Sequence, residues 1–223
     1  MKKKFLFLMT LLAVSLLALA EMTVYVYKKD GTKVQYLAST IDSIGFVDVF
    51  NNGHEYVDLG LPSGTLWATM NVGADSPEDY GDYFAWGEIT PNSNYTYSKN
   101  SKVLSLSDDA ANANWGGAWR MPTKAELDEL INSSYTTCTW TGNGRKVTSK
   151  INGNSIFLPA ADSKRDNGYY APGTSGCYLS NTAYSLNSRC VYEMIFDEYY
   201  GVQVRAADYN ATKMSSVRPV LKK

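Results

Sequence analysis

The stretch Trp115 to Leu127 reads "WGGAWRMPTKAEL", and it limits the fold more than any other part of the chain. Thr123 and Glu126 stand three residues apart, the spacing of a capping box. The Thr123 hydroxyl accepts an orphan amide at the helix start, and Glu126 reaches back to the cap amide. Pro122 keeps the residue before it out of the helical region, so the start is sharp. Leu127, Leu130 and Ile131 then recur on one face, which predicts a short amphipathic helix ending near Asn132. Gly116 and Gly117 just upstream allow a turn or a backbone approach that a Cβ would obstruct. Trp119 supplies area to bury, and Arg120 beside it suits an ion pair or a carbonyl clamp.

The rest of the chain reads as short strands and turns. "MTVYVYKKDGTKVQYL" alternates Val with Tyr on either side of Asp30-Gly31, a β-hairpin pattern. The following "STIDSIGF" reads as a helical turn or tight loop ending in an apolar strand. "NNGH" at Asn51 to His54 reads as a polar linker, with His54 a solvated loop residue. "EYVDLGLPSGTLWATMNVG" holds two short strands around a Pro-Gly turn. "SPEDYG" begins as a helical turn capped by Ser76, and "DYFAWGE" reads as an aromatic strand. Residues Thr90 to Asn114 are polar and read as a long loop. "KVTSKINGNSIFL" is a hairpin around Asn152-Gly153, and "GCYLSN", "RCVYEMIF", "GVQVRA" and "SVRPVLK" are further strands. The predicted class is therefore α+β: a mixed sheet with one or two short helices and long loops, preceded by a small β-hairpin module. The segments are a signal peptide at 1–20, the hairpin module at 21–50 and the main domain at 55–223.

The first 20 residues have a separate logic. Lys2 to Lys4 make a positive n-region, Phe5 to Leu19 is an apolar run, and Ala18-Leu19-Ala20 offers a small-residue cleavage site. The run is short for the ~20 residues that span a bilayer. An exported chain beginning at Glu21 is expected, not lipidated there because no cysteine follows, and with no membrane span after cleavage. Its 21 Lys+Arg balance 22 Asp+Glu over the full sequence, so a concentrated basic face for nucleic acid is not expected. The 17 tyrosines supply large, rigid, amphipathic contact area, which suits sticky loops.

Three cysteines make an odd count for an oxidising compartment. Cys177 and Cys190 head two neighbouring strands, where a disulfide and two buried thiols both fit; Cys138 is left over. There is no Cys-x-x-Cys and His54 is the only histidine, so no metal or other cofactor is expected. In "VYEMIF", Glu193 sits among apolar neighbours and reads as a half-exposed or paired strand residue.

"YVDLGLPSGTLWATMNVG", "SPEDYGDYFAWGE", "WGGAWRMPTKAELDELI", "NSIFLPAA" and "SVRPV" together resemble the Fibrobacter succinogenes major paralogous domain family, in that family's order and over about Glu55 to Val220. The hairpin before them is similar to a short module attached to such domains. The resemblance implies a C-type-lectin-like fold, in which "WRMPT" and its helix pack into the core and "SVRPV" returns beside the first strands. One departure is Cys177-Tyr178-Leu179-Ser180, where such sequences carry an aromatic-rich strand.

Two function classes compete, binding and catalysis, with a structural surface protein whose loops have no single ligand as a third reading that differs from the first only in specificity. One is a non-enzymatic binding or adhesion module for a glycan or protein surface. Recognition chemistry then comes from loops at 166–173, 181–188, 197–201 and 207–211. In this reading Tyr170, Tyr199 and Tyr209 are apolar platforms, and Asp166, Asn167 and Asn210 hydrogen-bond a polar ligand. The alternative is an enzyme related to formylglycine-generating or glycan-active proteins, since the former carry a similar segment before a helix. Cys177 and Cys190 lack the surroundings such enzymes show, and adjacent Asp197 and Glu198 would point to opposite faces of a strand. Binding is therefore the expected class.

Overall fold

The computed structural model describes residues 23–27, 32–37, 50–92, 102–165, 171–186, 190–208 and 213–223. Residues 1–20, read above as a signal peptide, and Asp30-Gly31 and "STIDSIGF", with the turns expected there, lie outside them. The chain divides into two units between Asp48 and Val49. In the first, β1 (Thr23–Tyr27) and β2 (Lys33–Leu37) pair antiparallel, Thr23 opposite Leu37 and Tyr27 opposite Lys33.

The second unit opens with a hairpin, β3 (Phe50–Asn51) and β4 (His54–Asp58). Asn52 and Gly53 turn it at φ 48° and 83°. Two consecutive positive φ values make the primed turn that matches strand twist, and Asn-Gly adopts it at least cost. Asn51 to His54 is thus a turn within this unit, and His54 is not a solvated loop residue. Its ring stacks on Trp115 at 3.7 Å and meets Trp119 edge-on at 6.4 Å. Burial against these rings lowers the His54 pKa from 6.5.

β5 (Thr65–Ala68) follows the Leu61–Gly64 turn, closed by the Gly64 amide on the Leu61 carbonyl at 2.9 Å. Two helices come next, α1 (Ala110–Trp115) and α2 (Lys124–Leu130). Then come β6 (Thr136–Trp140), β7 (Gly144–Ser149), β8 (Ser155–Pro159) and β9 (Ser163–Lys164). The remaining strands are β10 (Ser175–Ala183), β11 (Cys190–Asp197), β12 (Gly201–Asp208), β13 (Met214–Ser215) and β14 (Val220–Lys222). The sheets run β14-β5-β4-β3, β10-β11-β12, β6-β7-β8 and β13-β9. Among the described residues 44% are strand and 10% helix, with antiparallel pairing between all named strands, which is a β-rich α+β class.

Three local expectations give way. Ser76 and Pro77 start a turn, with the Asp79 amide on the Ser76 carbonyl at 3.2 Å, and no helix forms. "DYFAWGE" contributes one bridge, Phe84 opposite Ser215. The expected loop at 90–114 contains a 3-10 turn at Leu106–Asp108 and all of α1 but its last residue, Trp115. Helix α1 is too short for a clear hydrophobic period, but Asp109 caps it through Ala111 and Asn112 at 2.9 and 3.1 Å. β6 was missed as well, because Thr-rich "TTCTW" shows little apolar alternation.

The core has two halves, sorted by strand alternation. On β5, Leu66 and Ala68 join one cluster with Trp86, Trp115, Trp119 and Leu179. Trp67, pointing the other way, joins Leu127, Leu130, Ile156, Tyr178 and Phe196. β14, the last strand, pairs with β5 and splits likewise, Leu221 into the first cluster and Val220 into the second. All four β5 positions are buried because the strand is covered on both faces. Arg218 lies wholly buried, its guanidinium donating to Asn71 Oδ1 at 2.9 Å and to the Ala68 and Phe157 carbonyls at 3.0 and 2.9 Å. Burial lowers its pKa, and these acceptors compensate much of the desolvation. Among the described residues no helix is long and apolar enough to cross a membrane.

Candidate functional site

The capping segment holds the fold together. Trp119 is buried, and its indole N–H donates to the Asn51 carbonyl at 2.9 Å. Thr123 Oγ1 accepts from the Glu126 amide at 3.2 Å, and Glu126 accepts from the Thr123 amide at 2.8 Å. Arg120 grips Glu126 with both terminal nitrogens, at 2.8 and 2.5 Å, and also donates to the Met121 carbonyl at 3.1 Å. Burial alone would raise the Glu126 pKa; Arg120 and Thr123 outweigh it and hold the carboxyl at about 2. Asp109 accepts from the Met121 amide as well as capping α1, which ties the helix to this segment. Burial pushes the Asp109 pKa up despite those amides.

Exposed aromatic rings and charged side chains gather at one end of the β10-β11-β12 sheet. β11 and β12 are joined by Glu198, Tyr199 and Tyr200, between the paired Asp197 and Gly201. Gly201 sits at φ 84°, the left-handed position a three-residue hairpin loop requires. Asp197 Oδ1 accepts from the Tyr199 and Tyr200 amides at 2.8 and 2.6 Å, an Asx turn that fixes the loop from within. The two rings stand 85% and 90% exposed.

Beside this turn is a cleft of about 390 Å³. Its lining includes Asp162, Arg165, Ser175, Asp197, Arg205 and Lys213. Asp162 has φ 55°, a conformation that Asp tolerates better than most residues. Its carboxylate accepts from the Ala171 amide at 2.8 Å and the Ser175 hydroxyl at 3.0 Å.

Beneath the cleft, Glu193 is completely buried. Lys213, also buried, pairs with Glu193 Oε2, and Arg205 reaches Oε1 at 3.2 Å through both Nε and Nη2. Cys177 donates its thiol to Glu193 at 3.0 Å and accepts from Ser215 Oγ at 3.3 Å. Burial, and then the Glu193 charge, push the Cys177 thiol up to about 12. Such a thiol is no nucleophile at neutral pH.

Cys177 and Cys190 are not bonded. β10 and β11 are antiparallel, so their heads lie at opposite ends: Cys177 faces Ile195, while Cys190 lies beyond the Val191–Ala183 pair. Five residues of strand separate Cys190 from Ile195, roughly 16 Å, far past the ~7 Å Cα limit for a disulfide. Of the six ligand residues expected from sequence, Tyr199 is at the exposed turn. Asp166, Asn167, Tyr170, Tyr209 and Asn210 lie outside the described residues. The Glu193 cluster went unanticipated, because Lys213 reaches it only through tertiary folding; the Glu193–Arg205 pairing in adjacent strands was the one local hint. Among the described residues no three His, Cys, Asp or Glu side chains gather to hold a metal ion. No protein-family model, no curated protein and no solved structure matches this chain.

Proposed function

We propose that this chain is an exported, non-enzymatic binding or adhesion module, with a C-type-lectin-like main domain of the major paralogous domain kind. It recognises a glycan or a protein surface at the loop end of the β10-β11-β12 sheet. The observation that carries the reading is the Tyr199-Tyr200 turn: two adjacent rings almost fully exposed, on a backbone already fixed by Asp197. Exposing two aromatic faces costs solubility, and fixing their loop in advance removes much of the ordering penalty of binding. The pairing of β14 with β5, which brings the last strand beside one of the first, supports the lectin-like reading. The protonated Cys177 thiol weighs against thiolate catalysis in the cleft.

A glycan array and a pull-down from surface extracts, both with the chain beginning at Glu21, test this. Binding that disappears in the Tyr199→Ala/Tyr200→Ala variant at unchanged melting temperature is the expected result. Ligands held equally by the variant would place recognition elsewhere. Intact mass of the protein from its native cell tests export, with Glu21 the expected first residue.

A further inference from the structure

We infer that the cleft beside the Tyr199-Tyr200 turn binds a carboxylate-bearing sugar, a hexuronate unit of a glycan, with Arg165 as the residue that holds its carboxylate. The inference rests on the glycan-binding reading above and specifies the ligand class for the same end of the sheet.

Formal charge in and beneath the cleft cancels, with Arg165, Arg205 and Lys213 against Asp162, Asp197 and Glu193. Hydrogen-bonding capacity does not cancel. Glu193 is taken by Lys213, Arg205 and the Cys177 thiol. Asp162 has a donor on each oxygen, Ser175 on Oδ1 and Ala171 on Oδ2. Asp197 has two amides on Oδ1. Arg165, half-buried in the cleft wall, has neither a hydrogen bond nor an ion pair with any described residue. Arg205 commits only Nε and Nη2. A guanidinium offers five donors in a planar fork, and one drawn partly out of water without an acceptor is poorly compensated.

The geometry selects the ligand's chemistry in three respects. The fork matches a planar carboxylate bidentately. Asp162 and Asp197 still carry negative charge nearby, so a dense polyanion is repelled, whereas a single carboxylate on a ring of hydroxyls finds carboxylate lone pairs to donate to. Asp197 both lines the cleft and holds the turn that carries the exposed Tyr199 and Tyr200, whose aromatic faces are then available to the next sugar of a chain. A volume of about 390 Å³ lies within the ~300–1,000 Å³ of small-ligand sites.

The test is calorimetric titration of the full exported chain with galacturonate and glucuronate oligomers, their methyl esters, and neutral oligomers of the same linkage. The acid should bind, and the ester should bind about tenfold or more weakly, in line with the loss of a charge-assisted bidentate contact. Arg165→Gln should reproduce that loss for the acid without lowering the melting temperature, since the side chain holds no part of the described fold. Arg165→Lys, which keeps the charge but not the fork, should fall between. Equal binding of acid and ester, wild-type affinity in Arg165→Gln, or no binding of any uronate oligomer at millimolar concentration would each overturn the inference. Neutral glycans bound through Tyr199 and Tyr200 would leave the binding-module reading standing while removing the uronate.

Discussion

Acid should unfold this protein partly through one carboxylate, Glu126. The group is held at about 2 in the folded chain against an ordinary 4.5. At ~1.36 kcal/mol for each tenfold change in proton affinity, that difference contributes about 3 kcal/mol to folding. Its side chain is 12% exposed, so solvent screens the contribution only weakly. Because the folded value is the lower one, the contribution is complete above pH 4.5. Between 4.5 and about 2 the unfolded chain takes up the proton and the folded chain does not, so stability falls; below about 2 the contribution is gone. Glu126→Gln keeps a side chain compatible with the capping box while removing the charge that answers Arg120. The variant should therefore be less stable at neutral pH by about 2–3 kcal/mol, and the gap to wild type should close as the pH falls. Urea midpoints of both proteins, followed by tryptophan fluorescence across this range, measure it. Taking the difference between the two curves cancels other groups, including Asp109, whose raised pKa acts in the opposite direction. Parallel curves at a constant separation would refute the argument.

Trp119→Ala should cost about 3–5 kcal/mol, because it empties a fully buried site and removes the indole donor to the Asn51 carbonyl, while Thr123→Ala should cost only about 1 kcal/mol; equal denaturant midpoints would contradict both. Lys213→Ala should destabilise by about 3 kcal/mol or more, since Glu193 would stay buried with Arg205 as its only cation, and Glu193→Gln on top of it should restore part of the loss. Thiol titration of the unfolded protein without reductant should count three cysteines, and the native protein should protect Cys177 from alkylation until it unfolds. A count of one would mean that a disulfide exists.

Features that depend on residues a few positions apart could be read directly from the chain. The capping box at Thr123 and Glu126 was legible because its two hydrogen bonds close within one helical turn. The hairpin at Asn152-Gly153 and the β10, β11 and β12 strands were legible because turn residues and two-residue alternation are local patterns. Tertiary structure alone decided the rest. His54 sits at the end of a polar run, and only the approach of α1's Trp115 from 61 positions away makes it a stacked ring. For Cys177 and Cys190 a disulfide and two free thiols both fitted the sequence, since both head strands; antiparallel order, which follows from how the chain returns, puts those heads at opposite ends and leaves the thiols free of each other. Arg218 takes its acceptors from Ala68, Asn71 and Phe157, and nothing near it in sequence announces a buried guanidinium. Glu193 was legible as a paired strand residue, while its burial needed Lys213 to arrive 20 positions later. Short-range hydrogen bonds and alternation are written in neighbouring residues; burial is a property of what the folded chain stacks above them, and so it appears only when the fold is complete.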